Sequence, residues 1–371
     1  MNNLIGESIF RGNWKKFSHS DLYDCLNLLP DKDLLKDIGF DEQIRWMTYL
    51  YSAPKTISGK TLNNRNHVIG LYDPFAKRKC FPAGLRFCIN VYTGCSHWCK
   101  YCYSVGYIRD SFIGRKKKIY REQFVKDIEE LKALNLTPSP LHLSNSTDPL
   151  QPLENVQKDM LWTLNKLSEN QNLFTTITIL TKNPELLSSN EYLTICREIN
   201  NLKVEVSCAF FDEKRKSSIE LCSPSIRSRL KGMASLRKSN ISVALRLDPL
   251  FPREPLSQKY FKKPRLTDYG APVAQTEGDI NNLLKFANDI NCYRIIVSPL
   301  KLTFGRYQKS DIVERYLPLY KELGEGKLIK KGNAFRMPNE YFVELLEYPK
   351  QLAKHYGIEI FYCKQSLFNT K

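Results

Sequence analysis

A regular alternation constrains this chain more than any other feature. From residue 81 onward, short β-branched and apolar runs take turns with segments of helical period. The runs Phe87 to Thr93, Leu141 to Ser146, Thr175 to Thr181, Lys203 to Ala209, Ile241 to Leu247 and Tyr293 to Ser298 read as strands. Stretches near 119–134, 154–169, 190–199, 224–238 and 278–290 read as the helices between them. Strands separated by helical crossovers make a parallel sheet with helices outside, and its reactive groups gather at the carboxyl ends of the strands. With 371 residues and 42% hydrophobic content, the chain can bury a full core, as one large α/β domain with extensions or as two domains.

Within the strands, a period of two sorts side chains by face. Ile241, Val243, Leu245 and Leu247 share one face, suited to packing under helices, whereas Ser242, Ala244, Arg246 and Asp248 share the other. Ile177 and Ile179 oppose Thr178 and Lys182, and Val204 and Val206 oppose Glu205 and Ser207. Leu141 and Leu143 oppose Ser144, Ser146 and Asp148. The strands therefore aim Asp148, Lys182, Ser207 and Arg246 into one polar interior, with His142 beside them as a satisfied core histidine. Residues 1–80, with the helical patches "SDLYDCLNLL" and "DEQIRWMTYLY", read as an N-terminal extension to a core of residues 81–305. Residues 306–371 read as a C-terminal extension: two helical patterns, 310–323 and 339–355, then a strand-like "IEIFYC" that caps the fold or covers the open edge of the sheet.

Directly after the first strand, "VYTGCSHWCKYCYSVGY" places Cys95, Cys99 and Cys102 at spacings of four and three. Three thiols on so short a loop point to a metal or cluster site. Structural zinc asks for four ligands, commonly two CxxC-like pairs, and no second pair follows; a zinc-stabilised nucleic-acid-binding module would need His97 or the remote Cys363. A 4Fe–4S cluster on three cysteines instead keeps one iron free of protein ligands, open to a substrate or cofactor. The chain has eleven cysteines, and those outside the triplet are scattered, which suits reduced thiols better than a disulfide framework. Cys208 and Cys292 lie in apolar, strand-like context and read as small hydrophobes.

The CxxxCxxC loop, with the aromatic Tyr101 before its last cysteine, resembles that of the radical S-adenosylmethionine enzymes. The segments "INVYTGCSHWCKYCYS", "LHLSNSTDPLQPLE", "TILTKNPELL", "VEVSCAFFDE" and "CSPSIRSRLKGMASLRKSNISVALRLDPLFP" follow in order over roughly residues 85 to 255. Together they resemble the branch related to spore photoproduct lyase, the DNA repair photolyase-like proteins. The resemblance implies an α/β fold, a partial (β/α)6 TIM-type barrel with N- and C-terminal extensions. It also implies a 4Fe–4S cluster on Cys95, Cys99 and Cys102, S-adenosylmethionine cleaved reductively to a 5'-deoxyadenosyl radical, and an electron donor such as flavodoxin or ferredoxin. On the family's pattern Lys182 pairs with the S-adenosylmethionine carboxylate. Ser146, Thr147 and Asp148 occupy the loop where many members carry a glycine-rich amine-binding motif, and Tyr101, Ser207 and Arg246 complete the expected cofactor contacts. Structural roles stand against these: Lys182 as a strand-end lysine, Asp148 as a turn residue before Pro149, Arg246 as neutraliser of Glu205 or Asp248, and His97 as a rim residue. One departure matters. Spore photoproduct lyase carries a cysteine shortly before this aspartate that returns a hydrogen atom to the product radical, whereas here Ser144, Asn145 and Ser146 fill the stretch. Because O–H and N–H bonds are far stronger than S–H, efficient repair of the spore photoproduct is not expected.

Charge bears on the substrate. Fifty-six Lys and Arg against 39 Asp and Glu give a net charge of +17, which biases the protein toward polyanions by counterion release. A nucleic acid is therefore expected ahead of a peptide or small metabolite. The basic runs at 77–79, 115–118, 214–216 and 262–263 are dispersed, and each reads as a solvated face. The N-terminus has no sustained apolar stretch and no run of about 18 apolar residues occurs, so the expectation is a cytoplasmic protein with no membrane partner. The sequence does not fix an oligomeric state.

Overall fold

The computed structural model describes residues 56–57, 60–61, 67–72, 86–136, 138–304, 311–331 and 334–362, in which the alternation becomes one eight-stranded sheet. In chain order its strands are β1 (Gly70–Tyr72), β2 (Arg86–Ile89), β3 (Leu141–Leu143), β4 (Ile177–Thr181), β5 (Leu202–Ser207), β6 (Ser242–Leu250), β7 (Ile295–Pro299) and β8 (Ile360–Tyr362). Each strand lies beside its neighbour in sequence, from β1 at one edge to β8 at the other. β1 runs antiparallel to β2, and β2 through β8 are all parallel. Parallel strands laid down in sequence order with crossovers of one hand curl toward a barrel. β1 and β8 do not pair with each other, so the barrel is open, the partial (β/α) barrel that the sequence leads one to expect. The "IEIFYC" run takes the edge-covering alternative, pairing Ile360 with Ile295 and Phe361 with Ile296 of β7.

Register explains the core. Phe87, Leu141, Ile177 and Leu202 sit side by side across β2 to β5, and two residues on so do Ile89, Leu143, Ile179 and Val204. All eight are buried. Helices α1 (Tyr120–Leu134), α2 (Asp159–Ser168), α3 (Asn190–Glu198), α4 (Ile226–Lys238) and α5 (Glu277–Asp289) fill the crossovers, with α6 (Asp311–Leu323) and α7 (Asn339–His355) between β7 and β8. Their apolar sides, such as Phe124 and Ile128 of α1 or Leu164 and Leu167 of α2, join the same core as the strands. Each such side chain contributes roughly 1.5–3 kcal/mol by leaving water.

Local devices set where elements stop. β3 ends at Leu143 because Ser144 takes the left-handed conformation, φ +71°, while its N–H donates to Ile89 O at 2.6 Å. The expected strand to Ser146 is thus cut short, and the chain turns along the rim, where Ser146 N–H donates to Asn90 Oδ1 at 2.9 Å. At the β1 edge, Asp127 Oδ2 accepts the N–H groups of Val68 (2.7 Å) and Ile69 (2.9 Å), and His67 Nε2 lies 2.8 Å from Glu130 Oε2. This clasp ties the segment entering β1 to α1. Ser225 caps α4 by accepting the Ser228 N–H at 3.1 Å, and Thr276 with Asp279 forms a capping box on α5. α4 crosses closely over the turn Pro184–Leu187, since a Cβ built on Gly232 would fall 2.3 Å from Glu185 N. The N-terminal helical patches, the basic run 77–79 and Cys25, Cys80 and Cys363 lie outside the described residues. Among the described residues no helix is long and apolar enough to cross a membrane.

Candidate active site

The cysteine loop leaves the carboxyl end of β2, and its shape is built by its surroundings. Gly94 has φ +72°, and a Cβ there would lie 2.2 Å from Ile113 O, so only glycine fits. Cys95 N–H donates to Ser111 O at 2.7 Å, and Cys102 N–H to Cys99 O at 2.9 Å. The buried Gln151 side chain reads the loop's backbone, donating to Gly94 O (3.0 Å) and accepting from Ser96 N (3.0 Å). Trp98 stacks on Phe112 at 5.7 Å and donates from Nε1 to Phe112 O at 2.7 Å. From the other side, residues 219–222 run antiparallel to the loop: Lys100 N–H donates to Ile219 O (3.0 Å) and Cys222 N–H to His97 O (3.0 Å), with Cys99 bridged to Glu220.

Two of the three thiols are shifted away from the range of an activated nucleophile. Burial, with Asp148 nearby, pushes the Cys95 thiol up to about 12, and burial next to Glu220 raises Cys99 well above the usual range. Reactive cysteines show the opposite shift. Three soft thiolate donors on one loop are one short of the four that structural zinc takes.

Lys182, just past β4, reaches under this loop. Its Nζ lies 2.6 Å from Ser207 Oγ, 3.0 Å from Tyr101 Oη and 3.0 Å from Glu220 Oε1. Glu220 is fully buried; it also accepts from Arg229 Nη2, Tyr101 Oη and Ser223 Oγ (2.9 Å). Burial alone would raise this carboxyl, but the Arg229 guanidinium and the Lys182 ammonium outweigh it and hold it well below the usual carboxylate range. Burial works against the Lys182 ammonium too, and Glu220 reverses it, leaving the lysine above its ordinary value. Arg229 is itself fully buried and donates to Ser207 O at 3.0 Å.

The other expected site residues take defined places. Asp148 braces the strand ends: Oδ1 accepts from Thr181 Oγ1 (2.8 Å) and Leu150 N (2.9 Å), and Oδ2 from Lys182 N (2.6 Å). His97 is not a rim residue; it is buried, with Nδ1 3.4 Å from Asp148 Oδ2, because the segment 219–222 closes over it, and burial lowers its basicity. Ser146 Oγ accepts from the Tyr107 hydroxyl at 2.7 Å. Thr147 Oγ1 is buried without a hydrogen-bond partner, an orphan of the kind a bound polar ligand satisfies. Arg246 spans Glu205 Oε2 and Asp248 Oδ2, each at 2.5 Å, with His142 Nε2 3.6 Å from Glu205 Oε2. The stretch lacking a cysteine is not without a thiol beside it, since Asn145 Nδ2 lies 2.7 Å from Cys88 Sγ on β2. Tyr101, Lys182 and Ser207 therefore converge beside the cysteine loop, while Arg246 stands deeper with the lumen's own carboxylates. Sequence reasoning missed Gln151, Glu220 and Arg229. Glu220 meets Tyr101 across 119 residues, and no strand parity points to that meeting. Its one sign was that Arg229 lies within the "CSPSIRSRL" segment already singled out.

No family model matches the chain. Over 170 residues it is 25% identical to an uncharacterized protein of Methanocaldococcus jannaschii, a match that covers 46% of this chain and 62% of that protein's length. Among solved structures it is similar to a mutant of spore photoproduct lyase, with a TM-score of 0.54 at 13% identity over 74% of this chain and 76% of that one. It is similar also to spore photoproduct lyase complexed with dinucleoside spore photoproduct, TM-score 0.52 at 11% identity with the same coverage. Streptococcus suis SuiB bound to its precursor peptide SuiA gives a TM-score of 0.51 at 13% identity over 78% of this chain and 50% of that one. These likenesses show a shared fold, the partial α/β barrel of spore photoproduct lyase and SuiB.

Proposed function

We propose that this chain is a radical S-adenosylmethionine enzyme, with Cys95, Cys99 and Cys102 holding a 4Fe–4S cluster at the mouth of the open barrel. The observation that carries the reading is the thiol triplet itself: three donors at a strand's carboxyl end, on a loop fixed from both sides, one short of a closed four-ligand zinc site. When bound, such a cluster supplies the electron that cleaves S-adenosylmethionine to methionine and a 5'-deoxyadenosyl radical. The chain's part is to place and shield. Lys182 offers an ammonium to the cofactor's carboxylate, and Thr147 Oγ1 and Ser146 offer oxygens to its amine or ribose. Trp98 with Phe112 and the strand-like segment 219–222 cover the loop and limit water.

For the substrate, we favour a nucleic acid over a peptide or metabolite. The fold does not decide this, since the similar structures include one complexed with a dinucleoside and one with a peptide. The net charge of +17 tips the balance. Anaerobic reconstitution with iron and sulfide tests the central reading. The expected product is a brown protein with about four irons per chain that cleaves S-adenosylmethionine under reduction. Alanine at Cys95, Cys99 or Cys102 should abolish both properties, and Cys208→Ala, in the buried core, should abolish neither. A colourless protein holding one zinc would favour a binding module instead.

A further inference from the structure

The clasp at the β1 edge has the make-up of a metal site. His67, in the segment entering β1, and Asp127 and Glu130 of α1 each bring one donor atom, and the three atoms lie within 4.8 Å of one another. Asp127 and Glu130 stand three residues apart and so share a face of the helix. All three side chains are withdrawn from solvent, at 2%, 0% and 14% exposure, with Glu130 the most accessible. Their spacing is informative. His67 Nε2 lies 2.8 Å from Glu130 Oε2, a hydrogen bond, but 3.8 Å from Asp127 Oδ1, which is too far for one. Two ligands of one tetrahedral zinc, with bonds of about 2.0–2.2 Å, stand about 3.4 Å apart. The two separations from Nε2 bracket that value. The aspartate is also oriented as a metal ligand is. Its Oδ2 accepts the N–H groups of Val68 (2.7 Å) and Ile69 (2.9 Å), which leaves Oδ1 facing the imidazole, with Gln123 Nε2 beside it at 3.5 Å. One imidazole nitrogen with carboxylate oxygens suits zinc and its first-row neighbours, whereas calcium asks for roughly six to eight oxygens.

We propose that His67, Asp127 and Glu130 bind one first-row divalent cation, zinc foremost, which fastens the segment entering β1 to α1. His67 Nε2, Asp127 Oδ1 and Glu130 Oε2 are its ligands, and water completes the shell. Binding exchanges the hydrogen bond between imidazole and Glu130 for two bonds to the ion, and leaves the imidazole neutral with its proton on Nδ1. The two carboxylates neutralise the ion, so no net charge is buried. None of the three residues belongs to the cysteine loop, and the site does not depend on what that loop holds.

The test uses the full chain carrying Cys95→Ala, Cys99→Ala and Cys102→Ala together, which removes the competing thiols. After metal is stripped with a chelator, zinc chloride is titrated calorimetrically, and bound zinc is counted by mass spectrometry after gel filtration. About one zinc per chain is expected, together with a rise in thermal midpoint. Adding Glu130→Gln keeps a polar partner beside His67, yet zinc should then bind at least about tenfold more weakly, and likewise with His67→Gln. Neither variant should gain thermal stability from zinc. Circular dichroism checks the fold of each. In the chain that keeps its three thiols, the same two substitutions should lower the zinc count by about one per chain. No zinc uptake by the thiol-free parent overturns the proposal. Uptake that Glu130→Gln and His67→Gln leave unchanged also overturns it, since the clasp is then held by hydrogen bonds alone.

Discussion

Glu205 shows how single side chains in the lumen hold one another. Burial would raise its carboxyl, yet the Arg246 guanidinium at 2.5 Å and His142 at 3.6 Å bring it down to about 2. A carboxyl depressed in the folded state stabilises the fold fully above its unfolded value near 4.3, and that stabilisation is lost as pH falls through the folded value. Wild-type stability should therefore decline between about pH 4.5 and 2 by on the order of 3 kcal/mol from this group. Glu205→Gln should flatten that part of the profile, which urea denaturation followed at several acid pH values will show. The pairing of Arg246 with Glu205 and Asp248 was legible beforehand, because strand parity puts all three on one face and neighbouring strands carry them. Glu220 and Arg229 were not legible. They arrive from a crossover, and a crossover's side chains answer to tertiary contact and not to a period of two.

At the scale of elements, strands and helices fell where sustained periodicity put them, whereas their ends were set by features that leave no periodic trace. The left-handed Ser144 ending β3 is one. Gly232 is another: it lets α4 lie against the turn Pro184–Leu187, with the positions of its missing Cβ only 2.3 Å from Glu185 N and 2.5 Å from Pro184 C. Both are backbone atoms and cannot swing aside. Gly232→Ala should cost about 1–3 kcal/mol, read as a lower thermal midpoint, in spite of alanine's better helix propensity. The same turn begins two residues after Lys182, so the variant should also weaken S-adenosylmethionine binding more than its loss of stability accounts for.

For the whole molecule, the sequence's excess of basic residues is not drawn from the lumen, where Lys182 and Arg246 are paired with carboxylates. If the surface serves the substrate, affinity for a DNA or RNA oligonucleotide should fall steeply, with log affinity linear in log salt, between 50 and 200 mM in a fluorescence titration. No binding at the lower salt would move the substrate toward the peptide or metabolite class. The antiparallel pairing of the cysteine loop with residues 219–222 has a consequence in time. During synthesis Cys95 emerges more than a hundred residues ahead of the segment that closes the second side of its loop, as the 119-residue separation of Tyr101 and Glu220 measures. Contacts this distant in sequence form late. The nascent chain therefore exposes its thiols on a loop held on one side only, by Ser111 and Gln151, until the β5–β6 crossover has been made, and iron delivered before then meets a half-supported loop. On the proposed function, loading is expected of the finished barrel, and a chain arrested before residue 229 should be a poor acceptor of the cluster, although the three proposed ligands are already in place in the sequence.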